Sequence, residues 1–161
     1  MEALTRTGVL LLGVLLGGLW LGGTAHAQLA DKKAVSLAEA KKLIAAAEAK
    51  SGEIKVDMCI VVVDANGDSI ASVRMDDCQV GSVDVALAKA RTAARFRRPS
   101  KVFEDGVAGG RNAILALGVM PIEGGVNLVA GGKTIGAIGC SGGTAAQDGQ
   151  VCLAGAAVLS K

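Results

Sequence analysis

The spacing of apolar positions changes several times along this chain, and each change marks an element. Val9 to Leu21 is an apolar run interrupted only by glycine. From Leu37 the pattern becomes helical: Leu37, Ala40, Ile44 and Ala47 share a stripe that Lys41, Lys42 and Glu48 avoid. Ser36 and Glu39 stand as N-cap and N3 of a capping box. The helix is expected to stop near Ser51-Gly52, with the glycine at its C-terminal end. Met58 to Val63 is short and rich in β-branched residues, which predicts a buried strand. Asn66-Gly67 predicts a hairpin turn, and Ser69 to Met75 a returning strand. Ser82 to Phe96 reads as an Ala-rich helix closed by Pro99, and a further helical stretch covers part of Val102 to Leu117. Between Met120 and Ser141, Gly pairs at 124–125, 131–132 and 142–143 bracket apolar pieces, predicting two or three strands. Thr144-x-x-Gln147 is a second capping box, opening a last helix through Leu159. Short links between successive strands favour antiparallel pairing, hence an α+β domain with helices packed on one sheet.

The N-terminal run belongs to a different pattern. Arg6, the apolar stretch and Ala25-His26-Ala27 together have the form of a cleavable secretory signal peptide over residues 1–27. The run is too short and Gly-rich for a spanning helix, so no membrane span is expected after cleavage. The expected mature protein is a single domain, residues 28–161, periplasmic or secreted. Cleavage removes the only histidine, His26, and the only tryptophan, Trp20; the chain has no tyrosine. Phe96 and Phe103 are then the sole aromatics. The net charge of +2 is unchanged, because Glu2 and Arg6 leave together. That balance, with export, gives no reason to expect a nucleic-acid partner. An even count of four cysteines (Cys59, Cys78, Cys140, Cys152) permits disulfides in an exported chain, with three possible pairings. Cys140 and Cys152 flank one short segment and are placed to meet; buried free thiols fit equally well.

Several motifs resemble chemistry and fail on inspection. Gly139-Cys140-Ser141-Gly142-Gly143 has the form G-x-S-x-G, but a serine nucleophile needs a base, and no histidine follows residue 26. Gly132-Lys133-Thr134 lacks the first glycine of a phosphate loop and precedes a strand. Asp64-x-Asn66-x-Asp68 lacks the glycine and glutamate of a calcium loop. The cysteine spacing fits no zinc site. Two features persist. Lys89 falls on the apolar face of the Ser82–Phe96 helix with Val85, Ala86, Ala93 and Phe96, so it must snorkel, meet an anion, or shift its pKa. Asp84, Arg91, Arg95 and Arg98 form a charged stripe on another face. Within it and beyond, Arg91, Arg95, Arg97, Arg98 and Lys101 form a cationic cluster suited to carboxylates or phosphates, or to solvent.

One ordered string of residues resembles a known family. Arg74-Met75-Asp76-Asp77 is followed by Gly81-Ser82, Lys89-Ala90-Arg91-Thr92-Ala93 and Phe96-x-x-Pro99-Ser100. Pro121-Ile122-x-Gly124-Gly125, Gly136-Ala137-Ile138-Gly139-x-Ser141-Gly142 and Gln147-Asp148 complete it. Over nearly all of residues 28–161 this resembles the GlcG/HbpS-like haem-binding family, also found as the C-terminal domain of PduO-type proteins. The resemblance implies a profilin-like fold, an antiparallel five-stranded sheet flanked by about four helices, in a homo-oligomer. It also implies haem or a related tetrapyrrole as ligand in some members. Without histidine, the axial candidates are the thioethers of Met75 and Met120, then Met58 and the thiolate of Cys78. Propionates would meet Arg95 or Arg98, and Lys89 is a further anion anchor. The first expectation is therefore an exported, non-enzymatic binding protein for haem or a similar flat anion. The alternatives are an enzyme or accessory factor acting on a small hydroxy acid or other carboxylate, and an oligomeric interaction protein.

Overall fold

The computed structural model describes residues 32–160; the expected signal peptide lies outside the described residues. Helix α1 spans Leu37–Ile54, strands β1 and β2 span Cys59–Asp64 and Ser69–Arg74, and α2 spans Ser82–Phe96. Helix α3 (Ser100–Ala108) leads into a 3-10 segment, Asn112–Leu117. Strands β3 (Gly125–Ala130) and β4 (Lys133–Ser141) form a hairpin, and α4 (Ala145–Ala156) ends in a 3-10 turn, Ala157–Ser160. The sheet is antiparallel throughout, in the order β2-β1-β4-β3. Among the described residues no helix is long and apolar enough to cross a membrane.

The α+β class and the helix count agree with expectation, but the sheet has four strands among the described residues, not five. The Met120–Gly124 segment is the reason it does not add one. Pro121 has no N–H to give to a ladder. Met120 donates its N–H to Thr92 Oγ1 at 2.8 Å, and Glu123 donates to the Glu104 carboxylate. Two of its N–H groups are thus spent on α2 and α3, and it joins the sheet at its end, where Gly124 O accepts from Cys140 N–H at 2.8 Å.

Strand alternation divides the interior into two cores. Ile60 and Val62 of β1 face α1 and α4 with Met58, Leu43, Leu128, Ile138 and Val151. Cys59, Val61 and Val63 face the opposite side, where Ala86, Ala90, Ala93 and Ala94 of α2 cover them. Alanines suffice there because α2 lies directly on the sheet. Gly125 and Gly139 are cross-strand partners beneath it. A Cβ on Gly139 would stand 2.7 Å from Ala90 N, and one on Gly125 2.7 Å from the Lys89 carbonyl carbon. Side chains at either position would lift the helix off the sheet.

Local signals mostly hold. Ser36 Oγ caps α1 by accepting from Glu39 N–H at 3.1 Å. The helix runs through Gly52, however, and stops at Lys55, a left-handed residue at φ 55° whose N–H bonds to Gly52 O. Val56 N–H closes back on Ser51 O, and the Ser51 hydroxyl donates to Val56 O, so the stop is built by Ser51 and Lys55 and not by the glycine. Thr144 and Gln147 form the full capping box of α4. Two disulfides decide between the alternatives for the cysteines. Cys59–Cys78 joins β1 to the loop before α2, with Cα atoms 5.9 Å apart. Cys140–Cys152 joins β4 to α4, with Cα atoms 5.7 Å apart. All four residues are buried.

Candidate functional site

Helix α2 has two polar uses, on opposite faces. Toward the sheet, Lys89 is 1% exposed and does not snorkel. Its Nζ donates to Asp148 Oδ2 at 2.6 Å and to Cys140 O at 3.3 Å. Asp148 sits in the first turn of α4, and its Oδ1 accepts from Gly143 N–H at 3.0 Å. Burial pushes the Asp148 carboxyl above the ordinary carboxylate range, against the lowering pull of Lys89 and the Gly143 N–H. The pair ties α2 to the β4–α4 connection. Neither side chain lines the cleft on the other face of α2, and a Cβ on Gly124 would already come within 3.0 Å of Nζ. Ser100 makes a second buried tie, donating to Ile122 O at 2.7 Å and accepting from Gly125 N–H at 2.8 Å.

Away from the sheet, α2 forms one wall of an open cleft of about 510 Å³. Asp84, Leu87, Ala88, Arg91, Thr92, Arg95 and Phe96 line that wall. Leu117, Gly118, Val119 and Met120 form the other. The charged stripe read from helical spacing thus becomes the cleft wall for Asp84, Arg91 and Arg95. Thr92 holds the two walls together: its hydroxyl donates to Ala88 O at 2.8 Å and accepts from Met120 N–H at 2.8 Å. The volume falls within the ~300–1,000 Å³ typical of small-ligand sites.

The expected site residues therefore separate. Met120 and Arg95 meet in the cleft. Met75 does not line it; its sulfur accepts from Met58 N–H at 3.3 Å and lies 3.2 Å from the Ser51 hydroxyl oxygen, against the α1 core. Arg98 lies past the end of α2, because Arg97 turns the chain at φ 55°, and its guanidinium stacks 5.8 Å from the centre of the Phe103 ring. Lys89 is internal. Arg91 enters the cleft beside Arg95. Ser141, the serine of the G-x-S-x-G pattern, ends β4 opposite Cys59 and is buried, without the exposure a nucleophile needs. Among the described residues no group of His, Cys, Asp and Glu gathers in a form that would hold a metal ion.

Fold and site together define a small, disulfide-linked α+β domain with an open cleft along α2, lined by apolar side chains and by the guanidiniums of Arg91 and Arg95. The chain belongs to the HbpS-like family: the family described as "Haem degrading protein HbpS-like" matches residues 35–157. It is 41% identical to protein GlcG of Escherichia coli strain K12 over 123 residues, covering 76% of this chain and 92% of that protein. Its fold is similar to the crystal structure of a double mutant of Streptomyces reticuli HbpS, with a TM-score of 0.76 and 26% identity, covering 96% of this chain and 98% of that one. It is similar also to the crystal structure of a PduOC:heme complex, with a TM-score of 0.71 and 28% identity, covering 78% and 94% of the two chains.

Proposed function

We propose that this protein is exported and binds haem or a related tetrapyrrole in the cleft between α2 and the Leu117–Met120 segment. The observation that carries the reading is the composition of that cleft. Two guanidiniums at one end suit propionates, and Leu87, Phe96 and Leu117 suit an apolar macrocycle. The thioether of Met120 is the one candidate iron ligand among the cleft residues. When bound, haem supplies a redox-active iron; the chain supplies shape, charge and, through Met120, a soft donor. Relatedness to a protein solved with heme supports the same ligand. Two disulfides support export, since such bonds persist in oxidising compartments. Leu115 and Leu117 stand 56% and 53% exposed beside the cleft, which fits a homo-oligomer in which a second copy covers its lip.

The reading is of a binding protein first. The small-carboxylate enzyme expected as an alternative relied on Lys89, and that ammonium is engaged by Asp148 inside the protein. Titration of residues 28–161 with haemin, followed by absorbance, tests the proposal. A saturable, stoichiometric shift of the Soret band that weakens in Met120→Ala supports it. A spectrum no different from nonspecific adsorption to albumin removes haem and leaves the fold assignment intact.

A further inference from the structure

The β1–β2 turn reaches across to α2 at the cationic end of the cleft. Asp64 organises it: Oδ1 accepts from Asn66 N–H at 2.8 Å and from Asp68 N–H at 2.9 Å. Gly67 takes φ 92°, a left-handed conformation that side chains resist. This geometry presents two successive carbonyls to the helix. Arg91 Nε donates to Gly67 O at 3.0 Å, and Arg95 Nε donates to Asn66 O at 2.9 Å. Each guanidinium spends one N–H on the turn and keeps the four on its terminal nitrogens. Among the described residues, neither arginine forms a salt bridge with a carboxylate. Asp84, the one acidic side chain lining the cleft, sits two turns before Arg91, about 10 Å along the helix axis. The cleft is therefore polarised along α2.

We propose that the β1–β2 turn positions Arg91 and Arg95 as a two-guanidinium clamp, which selects ligands carrying paired carboxylates on one edge and seats that edge beside Gly67. The inference rests on the tetrapyrrole reading and adds to it a specificity element and an orientation. Gly67 is the positioning residue. A Cβ there would lie 2.8 Å from Arg95 Nε and 3.2 Å from Arg91 Cγ, so the Arg95 guanidinium would have to move off the turn and the Arg91 side chain to yield beside it.

The test compares protoporphyrin IX with its dimethyl ester, each titrated by fluorescence against residues 28–161, which include both cores and both disulfides. The wild type should bind the diacid roughly tenfold or more tightly than the ester, as expected for charge-assisted hydrogen bonds made to only one of the two. Arg91→Ala and Arg95→Ala should bring that ratio toward unity by weakening the diacid alone. Both side chains lie at the surface edge of α2, so the variants fold. Gly67→Ala, which keeps both guanidiniums but unseats them, should lower the same ratio. Arg95→Lys, with charge but no fork, should recover part of it. If the arginine variants bind both porphyrins with the wild-type ratio, the clamp is wrong and the tetrapyrrole reading stands. If the wild type binds neither porphyrin, both are wrong.

Discussion

The Lys89–Asp148 pair offers the sharpest perturbation, because both side chains are almost wholly removed from solvent. Removing one member strands the other. In Asp148→Leu the ammonium keeps only Cys140 O as acceptor, and Gly143 N–H loses its partner. Breaking a buried pair in this way costs about 3–5 kcal/mol. For a domain of this size that is a fall in Tm of roughly 10 °C or more. Lys89→Met should cost less at acid pH than at neutral pH. Burial already raises Asp148, and loss of the ammonium raises it further. A folded-state pKa above the unfolded one contributes stability that is complete below the unfolded value and is lost as pH rises through the folded value. The penalty of Lys89→Met should therefore grow from about pH 4 upward. The double variant Lys89→Met/Asp148→Leu should regain most of the loss, since an apolar pair of similar volume leaves no buried charge. Urea denaturation of the four proteins at two pH values closes the cycle. Single variants that each cost under about 1 kcal/mol, or a double variant whose cost is the sum of the singles, would falsify the view of this pair as a desolvated clamp.

Three further outcomes are expected. Cys140→Ala/Cys152→Ala should lose about 3 kcal/mol, and thiol titration of the denatured, unreduced wild type should find no free cysteine. Gly139→Ala should cost at least about 2 kcal/mol in denaturant unfolding, because its methyl meets the α2 backbone, which cannot yield as a side chain would. Met75→Ala should lower stability and leave haemin affinity unchanged, whereas Met120→Ala should do the reverse; absorbance titration beside thermal melts separates the two.

Local patterns were the legible part of this sequence. The bounds of α2, the Asn66-Gly67 turn and the Thr144–Gln147 capping box each rest on residues within one turn or hairpin of each other, and the structure shows them as expected. Helical projection also gathered Asp84, Arg91 and Arg95 correctly. It carried Arg98 too far, because projection assumes a helix that continues, and Arg97 ends it. The Lys89 partner was not legible. Asp148 is 59 residues away, and only the fold brings α4's first turn under α2. A hint existed, since Thr144 and Gln147 mark that first turn and Asp148 is its one carboxylate. The missing strand had the same origin: Met120–Gly124 looks extended, but Met120 and Glu123 give their N–H groups to Thr92 and Glu104, which no local pattern reveals. Several residues that carry the family resemblance, Lys89, Ser100, Gly125, Gly139 and Asp148 among them, prove to be ties beneath α2. They report how the helix is held, and the cleft lies on its other side.

That separation makes the two walls of the cleft unequal in their dynamics. Helix α2 rests on Gly125 and Gly139 without intervening side chains, and is pinned by Lys89 at its centre. The facing wall follows an exposed 3-10 segment and is tied to α2 through the Met120–Thr92 hydrogen bond. Amide exchange should accordingly be slowest along α2, near the limit set by global unfolding, and fast from Asn112 to Val119. A ligand would change protection on the second wall and leave the first as it was. Opening and closing would then belong to the Asn112–Met120 segment, and the rate at which cargo leaves would be set there, on the far side of α2 from the Lys89–Asp148 tie.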